Sequence, residues 1–477
     1  MDYSSIFKNL PGTVLVLQSS RSFFSASSRS TSHYLFTILI ALILIITVFF
    51  FSASGPASPA VISYTSLASR RLHSPSLSPS HPYTSCTVSA VPLPSPPPPP
   101  LTALPTHTLD ILHNNDDDDD DPQQPTSCNV FDGSWIQDEG MEPLYRPGTC
   151  PFVDEAFNCF DNGRPDSDYL KFKWKPRACE IPRFDGLKML DLLRGKQLVF
   201  VGDSLNRNMW ESFVCAIWES LPNKTNVVQV SGSRQFRTQR FYSIKFQDFN
   251  CSIDFVKSPF LVQEWKFLDK TGIRRETLRL DVMESYHNEY MDADIVVFNT
   301  GHWWTHKKTY QGKYYFQEGA HVYSRLKVAD AYKKALQTWA KWVDSTINTT
   351  RTTIFFRSYS SSHFKGGRWD SGGSCDGETK PITEEAHLAP HPWMARALES
   401  VLSKMKTPVQ YLNITRMTDY RKDGHPSVYR QSASSGSHDH VLASQDCSHW
   451  CLPGVPDSWN QLLYAILIKS QKEISPV

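Results

Sequence analysis

A serine at the end of a predicted strand is the first residue with the chemistry of a nucleophile. Residues 200–208 read FVGDSLNRN, in which an apolar run ends at Val201, Gly202 allows a sharp turn and Ser204 begins a helical pattern. This arrangement places the Ser204 hydroxyl at the carboxyl edge of a parallel sheet, where α/β folds bind their ligands. Backbone N–H groups of the turn and of the helix start can stabilise an oxyanion there. Taken alone, the same residues also fit a simple helix cap at Asp203 or Ser204.

The second chemical signal lies near the C-terminus, where an aspartate and a histidine are three positions apart. Residues 446–457 read DCSHWCLPGVPD, so one turn of chain can hold both Asp446 and His449, with Cys447 and Cys451 beside them. A serine nucleophile needs a general base, and the base needs a carboxylate that orients it. A histidine beside a tryptophan is more often structural, but in combination with Ser204 the pair predicts a catalytic triad.

A polar residue also follows a second predicted strand. Residues 297–304 read VFNTGHWW, and Asn299 ends this strand at the same sheet edge as Ser204. Its side-chain amide could donate to an oxyanion beside the turn at Gly202 and Asp203, or could simply cap the turn. His302, Trp303 and Trp304 could line an acceptor groove, with core packing as their alternative, and Arg357 and His363 are further candidates for the site.

The elements that position these residues alternate along the chain. Buried strands are predicted at 197–201, 294–299, 352–356 and 409–412. Helical periodicity is found at 205–219, 328–347, 389–405 and 457–470. Strands that alternate with helices predict an α/β sandwich with a mostly parallel sheet. Period-two patterns within 227–269 predict an antiparallel insertion that covers part of the site, and the Cys- and Pro-rich residues 127–180 predict a wrap stapled around the core.

The first residues of the chain have a different composition. Residues 34–51 (YLFTILIALILIITVFFF) carry no charge and are long enough to cross a thin bilayer as one helix. Lys8, Arg21 and Arg29 precede this run, so the positive-inside rule places residues 1–33 in the cytosol and the rest of the chain across the membrane. A cleaved signal peptide is the alternative to a permanent anchor.

Residues 52–126 have the composition of a disordered stalk. Ser, Thr and Pro dominate, residues 96–100 are a proline run, and residues 116–121 are consecutive aspartates. Such an acidic run is typical of a solvated spacer, with a calcium site or a basic partner as the less favoured alternative. A catalytic domain is predicted at 127–477, divided into a Cys-rich segment at 127–180 and a core at 181–477.

The overall composition argues against nucleic-acid binding and metal binding and indicates an oxidising compartment. The formal net charge is +1, from 49 basic and 48 acidic residues, which gives no reason to expect nucleic-acid binding. The cysteines form no CxxC pair and no Cys/His zinc pattern, so no metal site is predicted. Their number suits disulfides in an oxidising lumen. Four N-glycosylation sequons indicate the same compartment, at Asn223, Asn250, Asn348 and Asn413.

Together the motifs resemble a known family. The residues Gly202, Asp203, Ser204 and Asn299 and the pair Asp446 and His449 are similar to the GDSL/SGNH hydrolase-like superfamily, although its glycine block has no counterpart here. The strings GDSLNRNMWESFVC, VFNTGHWW and DCSHWCLPGVPDSWNQLL resemble the plant trichome birefringence-like polysaccharide O-acetyltransferases, and RWDSGGSCDGET resembles the trichome birefringence branch itself. The resemblance implies an SGNH-like three-layer αβα sandwich. It also implies a single-pass type II Golgi membrane protein whose luminal domain acetylates wall polysaccharide, pectin or xylan.

The same resemblance implies a set of disulfides. The pairs are Cys128–Cys179, Cys150–Cys215, Cys159–Cys451 and Cys375–Cys447, which leaves Cys86 and Cys251 over. The last two pairs would hold the turn at Asp446 and His449 from both sides.

The implied reaction uses no bound cofactor. His449, oriented by Asp446, deprotonates Ser204, which takes an acetyl group from a donor; a sugar hydroxyl then attacks the acyl-enzyme. The sequence has no Gly-rich phosphate loop for coenzyme A, so we expect an acetyl-CoA-derived donor handed over by a membrane partner protein. A carbohydrate acetylesterase and a non-catalytic pectin-binding or bridging wall protein are the alternatives.

Overall fold

The structure, a computed structural model, describes residues 128–231, 240–431 and 445–474. The predicted cytosolic tail, the anchor at 34–51, the stalk and Cys86 lie outside the described residues. Within the described ranges, no helix is long and apolar enough to cross a membrane.

In the described chain, strands and helices alternate on either side of a run of eight strands, between residues 227 and 322, that has no α-helix within it. The strands are β1 (Gly133–Gln137), β2 (Phe172–Pro176), β3 (Gln197–Gly202), β4 (Val227–Ser231), β5 (Phe241–Phe246), β6 (Cys251–Lys257), β7 (Val262–Leu268), β8 (Arg274–Met283), β9 (Ile295–Phe298), β10 (Phe316–Glu318), β11 (His321–Val322), β12 (Thr353–Arg357) and β13 (Gln410–Leu412). The α-helices are α1 (Gly186–Leu192), α2 (Ser204–Ser220), α3 (Val328–Thr346), α4 (Trp393–Leu402), α5 (Thr415–Asp419) and α6 (Val455–Ile474). The predicted elements that flank the site are therefore confirmed, with small shifts at their ends.

A seven-stranded sheet forms the centre of the fold, in the order β13-β12-β9-β3-β6-β5-β4. The strands from β13 to β6 are parallel, and β5 and β4 continue the sheet in antiparallel pairing. Because parallel strands all end at one edge, the residues that follow β3, β9 and β12 meet there.

Successive side chains of β3 enter two different hydrophobic cores. Leu198 and Phe200 belong to the core formed with α1, α2 and α6, whereas Val199 and Val201 belong to the core formed with α3 and α4. A strand directs successive side chains to opposite faces, so a strand that is apolar at every position must be covered on both sides. The result is the predicted sandwich of helices, mixed sheet and helices.

One prediction about the sheet is wrong. The region 227–269 was expected to form an antiparallel insertion over the site, but β6 lies inside the main sheet and pairs in parallel with β3. The period-two pattern does not distinguish these cases, because Ile253 and Phe255 face a core in either arrangement. Within this region only β7 leaves the main sheet, and it pairs with β8 in a second sheet of the order β11-β10-β8-β7.

The N-terminal segment is held to the core by disulfides, as predicted. All four expected pairs are present: Cys128–Cys179, Cys150–Cys215, Cys159–Cys451 and Cys375–Cys447. The first closes the segment on itself, the second joins it to α2, and the third joins it to the loop that precedes α6. Cys251 is buried and is free.

Candidate active site

Ser204, His449 and Asp446 form a continuous hydrogen-bonded chain. The Nε2 atom of His449 lies 2.7 Å from Ser204 Oγ, and its Nδ1 atom lies 2.7 Å from Asp446 Oδ2. A carboxylate only accepts hydrogen bonds, so Nδ1 carries the hydrogen and Nε2 is left to accept from the serine hydroxyl. This is the tautomer that a general base needs.

The Asp446 carboxylate is prepared for that role by its surroundings. Its Oδ1 atom accepts from the backbone N–H groups of Ser448 (3.2 Å) and His449 (3.0 Å). Burial alone would raise the pKa of Asp446, but the neighbouring His449 and its hydrogen bonds hold that pKa below its usual range. The carboxylate therefore stays ionised and can stabilise an imidazolium at His449.

The turn that presents Ser204 is set by Gly202 and Asn299. A Cβ atom on Gly202 would overlap the side-chain and backbone oxygens of Asn299, so only glycine allows β3 and β9 to end this close together. Asp203 then caps α2 by accepting from Leu205 N–H at 2.9 Å. Ser204 is the first residue of that helix. The N–H groups of Asp203, Leu205, Asn206 and Arg207 already donate to Asn299 or Asp203, so the Ser204 N–H is the group of this turn that can face an oxyanion.

Asp203 is the centre of a buried polar cluster behind the serine. Asn299 donates from Nδ2 to Asp203 Oδ1 (2.9 Å) and accepts from Asp203 N–H (3.1 Å), and His302 N–H faces Asp203 Oδ2 (3.3 Å). Burial would raise the pKa of Asp203, but His302, Arg357 and Asn299 hold that pKa well below its ordinary value. The cluster fixes the turn as a charged, hydrogen-bonded unit.

The structure changes the roles expected of two candidates. One amide hydrogen of Asn299 is used by Asp203, so Asn299 supports the turn directly. Arg357 is fully buried, donates from NH1 to Ser358 O at 2.7 Å and lies 5.1 Å over the Trp459 ring. Burial lowers the pKa of Arg357 to about 10. Arg357 is therefore not placed to contact a substrate, and it acts on Asp203 through its charge.

The loop that carries His449 has no regular secondary structure and is held by side chains far away in sequence. Asn208 of α2 accepts from Trp450 N–H (2.8 Å) and donates to Trp450 O (3.1 Å). Arg164 lies 3.3 Å from Cys451 Sγ of this loop, and it also donates to the carbonyl oxygens of His425 (2.9 Å) and Asp423 (2.6 Å) in the neighbouring stretch of chain. The Cys159–Cys451 and Cys375–Cys447 bridges fix the two ends of the loop.

A histidine that the sequence did not single out supports the same loop. His425 donates from Nδ1 to the carbonyl of His449 (2.6 Å) and stacks on Trp450 with a ring separation of 4.1 Å. Burial lowers the pKa of His425 well below its usual value. His363, a predicted candidate, contacts His425 Nε2 through its Nδ1 at 2.7 Å and so stands behind the loop, outside the groove. Only the DGHP segment around His425 could have signalled its role.

Ser204 and His449 open into a groove of about 820 Å³. Trp303 and Trp304 both line it, and Trp304 is otherwise buried in the core. The Lys308 ammonium lies 4.3 Å over the Trp303 ring and 5.2 Å over the Trp369 ring. Burial lowers the pKa of Lys308. The cationic and acidic residues that line the groove are Lys307, Lys308, Lys327, Arg368, Arg430, Asp370 and Asp446, so positive charge predominates.

Comparisons with known proteins agree with this geometry. Residues 181–466 match the GDSL/SGNH-like acyl-esterase family found in Pmr5 and Cas1p, and residues 126–180 match the PMR5 N-terminal domain. The Arabidopsis thaliana protein trichome birefringence-like 4 is 60% identical over 347 residues, which cover 72% of this chain and 76% of that protein. Arabidopsis protein trichome birefringence is 56% identical and trichome birefringence-like 1 is 54% identical, with 73% and 72% of this chain covered. The chain spans only 57% and 62% of the length of these last two relatives.

Proposed function

The chain belongs to the trichome birefringence-like proteins with a GDSL/SGNH-like acyl-esterase domain, and on that premise we propose that it is a polysaccharide O-acetyltransferase. The proposed reaction moves an acetyl group from a donor to a hydroxyl of a plant cell-wall polysaccharide through an acyl-enzyme at Ser204.

The observation that carries this proposal is the hydrogen-bonded chain from Asp446 through His449 to Ser204 at the floor of an open groove. A non-catalytic wall-binding protein has no need of a buried ionised carboxylate, an oriented imidazole and a hydroxyl in this order. The geometry therefore favours catalysis over a purely binding role.

The proton movements follow from the tautomer of His449. Its Nε2 atom takes the proton of Ser204 while Oγ attacks the acetyl carbonyl carbon, and the same proton then goes to the departing donor group. An acceptor sugar hydroxyl next gives its proton to Nε2 and attacks the acetyl-serine. The ester bond to Oγ breaks, and the proton returns to Ser204. The Ser204 N–H at the start of α2 stabilises the oxyanion in both halves.

The composition of the groove supports an acidic sugar polymer as acceptor. Trp303 and Trp369 offer aromatic faces on which sugar rings pack, and Lys307, Lys308 and Arg368 offer charge to uronate carboxylates. Pectin consists largely of such uronates, and xylan can carry them as side groups. Pectin is the acceptor that we favour, with xylan second.

The remaining parts of the proposal rest on the sequence. We place the catalytic domain in the Golgi lumen, anchored by residues 34–51 as a type II membrane protein. The acetyl group would come from acetyl-CoA through a membrane donor protein. The charge asymmetry around residues 34–51 and the sequons support this arrangement.

The proposal is tested with purified protein, an acetyl donor, and oligomers of pectin, xylan and mannan. Wild-type protein should acquire one acetyl group on the peptide that contains Ser204 and pass it to a uronate-containing oligomer. Ser204→Ala, with an unchanged unfolding midpoint, should lose transfer by ~10³-fold or more. Normal acetylation by folded Ser204→Ala would exclude the acyl-enzyme.

A carbohydrate acetylesterase is the second candidate, because the matched family is described as an acyl-esterase. The same triad would then pass the acetyl group from a polysaccharide to water. Release of acetate from acetylated pectin, without transfer to unacetylated oligomers at saturating donor, would favour this reading.

A further inference from the structure

A second groove lies beside the β7–β8 hairpin, away from the triad, and we call it the hairpin groove. It measures about 830 Å³ and is lined by Lys266, Phe267, Leu268, Arg274, Arg275, Glu276, Tyr310, Lys313, Tyr314 and Tyr315. Three of these side chains are unusually exposed for their size, namely Tyr314 at 71%, Leu268 at 65% and Tyr310 at 59%. Contiguous exposed apolar and aromatic surface commonly marks a binding site.

The tyrosines are held outward by a fixed loop. Tyr310, Gln311 and Tyr314 all have positive φ angles (50°, 58° and 50°), which residues other than glycine rarely adopt. Hydrogen bonds hold this conformation, including Gln311 N–H to His306 O (2.6 Å) and Leu326 N–H to Gly312 O (2.9 Å). Tyr310 also contacts Tyr315 with ring centroids 4.9 Å apart. The aromatic surface is thus preorganised, which lowers the entropy lost on binding.

The charge of the hairpin groove complements a polyanion. Its lining has four cationic side chains and one acidic side chain, Glu276. Lys266 pairs with Glu276 and Arg275 with Asp269, whereas Arg274 and Lys313 make no ion pair with the residues that the structure describes. Aromatic faces beside free cations suit a sugar ring that carries a carboxylate.

The hairpin groove and the catalytic groove share one stretch of chain. Residues 303–308 line the catalytic groove, and Tyr310 and residues 313–315 line the hairpin groove. Lys308 and Tyr310 are two positions apart, so their Cα atoms lie within about 7 Å of each other. Linings that come from neighbouring residues of one stretch of chain are what two subsites for a single long acceptor chain require, whereas a membrane surface or a protein partner on the hairpin has no such requirement.

We infer that the hairpin groove is a remote acceptor subsite, which binds a uronate-containing segment of the same polysaccharide chain that is acetylated at the triad. This inference rests on the proposed function. Binding at two linked sites raises the effective concentration of the polymer at the triad. The hairpin groove should therefore contribute to the use of long acceptors and not of short ones.

The first test compares acceptor lengths with the full-length protein. Tyr310→Ala/Tyr314→Ala and Arg274→Ala/Lys313→Ala should each lower kcat/KM for long polygalacturonate about tenfold, mainly through KM, and leave a short galacturonate oligomer within about twofold. Phe160→Ala is the matched control, because Phe160 is 58% exposed in the N-terminal segment and lines neither groove. Unchanged kinetics on the polymer, or equal losses on both acceptors, would overturn the inference.

The second test measures binding without turnover. Migration of Ser204→Ala protein through gels that contain polygalacturonate should be retarded, and the hairpin substitutions should remove most of this retardation, while fully methyl-esterified polymer should retard neither protein. If the wild-type protein acetylates no acceptor, the proposed function is contradicted. Retardation in the gel still tests the subsite in that case, because it measures binding and not turnover. Retardation that the hairpin substitutions leave intact, or binding to anionic phospholipid vesicles in place of polygalacturonate, would reject the subsite.

Discussion

The two halves of the candidate triad are held by different physical means. Ser204 stands at the edge of a sheet whose strands are buried on both faces, and its turn is fixed by Gly202 and by the charged cluster at Asp203. Asp446 and His449 stand on an irregular loop that is held by two disulfides and by single side chains from other elements. Ser204 is thus positioned by the fold, whereas His449 is positioned by crosslinks.

The difference explains where each half is vulnerable. The sheet edge is stabilised by many packing contacts, and no single one of them is decisive. The substitution to which it is most sensitive is therefore the loss of the buried charge at Asp203. The loop rests on a few specific contacts, each of which can be removed separately. The following substitutions probe the two halves in order of decreasing expected effect.

The largest effect is expected at the sheet edge with Asp203→Asn. Asparagine can still cap α2, but the buried guanidinium of Arg357 loses the charge nearest to it. We expect a loss of about 3–5 kcal/mol in the free energy of unfolding, measured by urea titration. The double variant Asp203→Asn/Ser204→Ala should be no less stable than Asp203→Asn alone. A change below about 1 kcal/mol would show that this cluster does not hold the turn.

Removal of the loop disulfides should come next. Cys159→Ser/Cys451→Ser and Cys375→Ser/Cys447→Ser should each lower the free energy of unfolding by about 2–5 kcal/mol. They should also lower the rate of Ser204 acetylation more than stability alone explains, because His449 loses its position. Cys128→Ser/Cys179→Ser is the control, since that bridge closes within the N-terminal segment. Equal losses of acetylation rate in all three variants would argue against a special role for the loop bridges.

The two halves are joined at Asp457, and this junction should depend on pH. Asp457 of α6 shares hydrogen bonds with Ser212 of α2 (2.5 Å) and with Tyr145 (3.2 Å), and burial raises its pKa to about 7. A raised folded-state pKa means that the folded protein keeps a proton that the unfolded chain has lost. The stability contributed by this proton is therefore present below pH 4 and is lost as the pH rises towards 7.

Asp457→Asn should remove this dependence. Asparagine mimics the protonated acid and does not titrate. Between pH 4 and pH 8 the free energy of unfolding should therefore fall by about 2–4 kcal/mol less in the variant than in wild type, measured by denaturant unfolding at both pH values. Asp330→Asn, on the exposed start of α3, is the control and should behave as wild type. Parallel pH profiles for wild type and Asp457→Asn would show that Asp457 is ionised in the folded protein.

A smaller effect is expected for a pair of asparagines on α2. Asn206 donates to the carbonyl oxygens of Val201 and Val297 in the sheet, whereas Asn208 binds Trp450 in the loop. Each alanine substitution should cost about 1–3 kcal/mol, because buried backbone groups lose their partners. At equal stability, Asn208→Ala should react more slowly with a fluorophosphonate probe at Ser204 than Asn206→Ala. A faster reaction of Asn208→Ala than of Asn206→Ala would contradict the role of Asn208 in positioning His449.

The smallest effect is expected at the four N-glycosylation sequons. Asn223, Asn250 and Asn348 are exposed, but Asn413 has a buried amide oxygen, and Thr415 of the same sequon is buried with its hydroxyl bonded to Ser358 and Tyr359. Glycopeptide mapping should therefore find glycans at the first three sites, little or none at Asn413, and unchanged stability for Asn413→Gln. Full occupancy at Asn413 would mean that the glycan is attached before this region folds.

The two halves of the site also differ in how much of each could be predicted from the sequence. Around Ser204 the prediction was close, because the strand, the glycine turn and the helix are neighbours in the chain and each has a local signature. Around His449 the sequence indicated the reacting residues and, through the family resemblance, the two bridges that hold their loop, but not the side chains that support it. Asn208 lies 242 positions from Trp450, and nothing in either local pattern indicates that they meet.

The sequence by itself determined the alternating strands and helices, the residues at the ends of β3 and β9, and, through family resemblance, the four disulfides. Those features depend on side-chain periodicity and local turn chemistry, which are written in short stretches of chain. Only the tertiary structure decided that β6 lies in the main sheet and that Arg357 is buried behind Asp203. It also decided that His425 and Asn208 hold the loop of His449 and that an aromatic, basic groove is lined by residues next in the chain to those of the groove at Ser204. These features depend on contacts between residues far apart in the chain, and such contacts follow from the path of the whole chain.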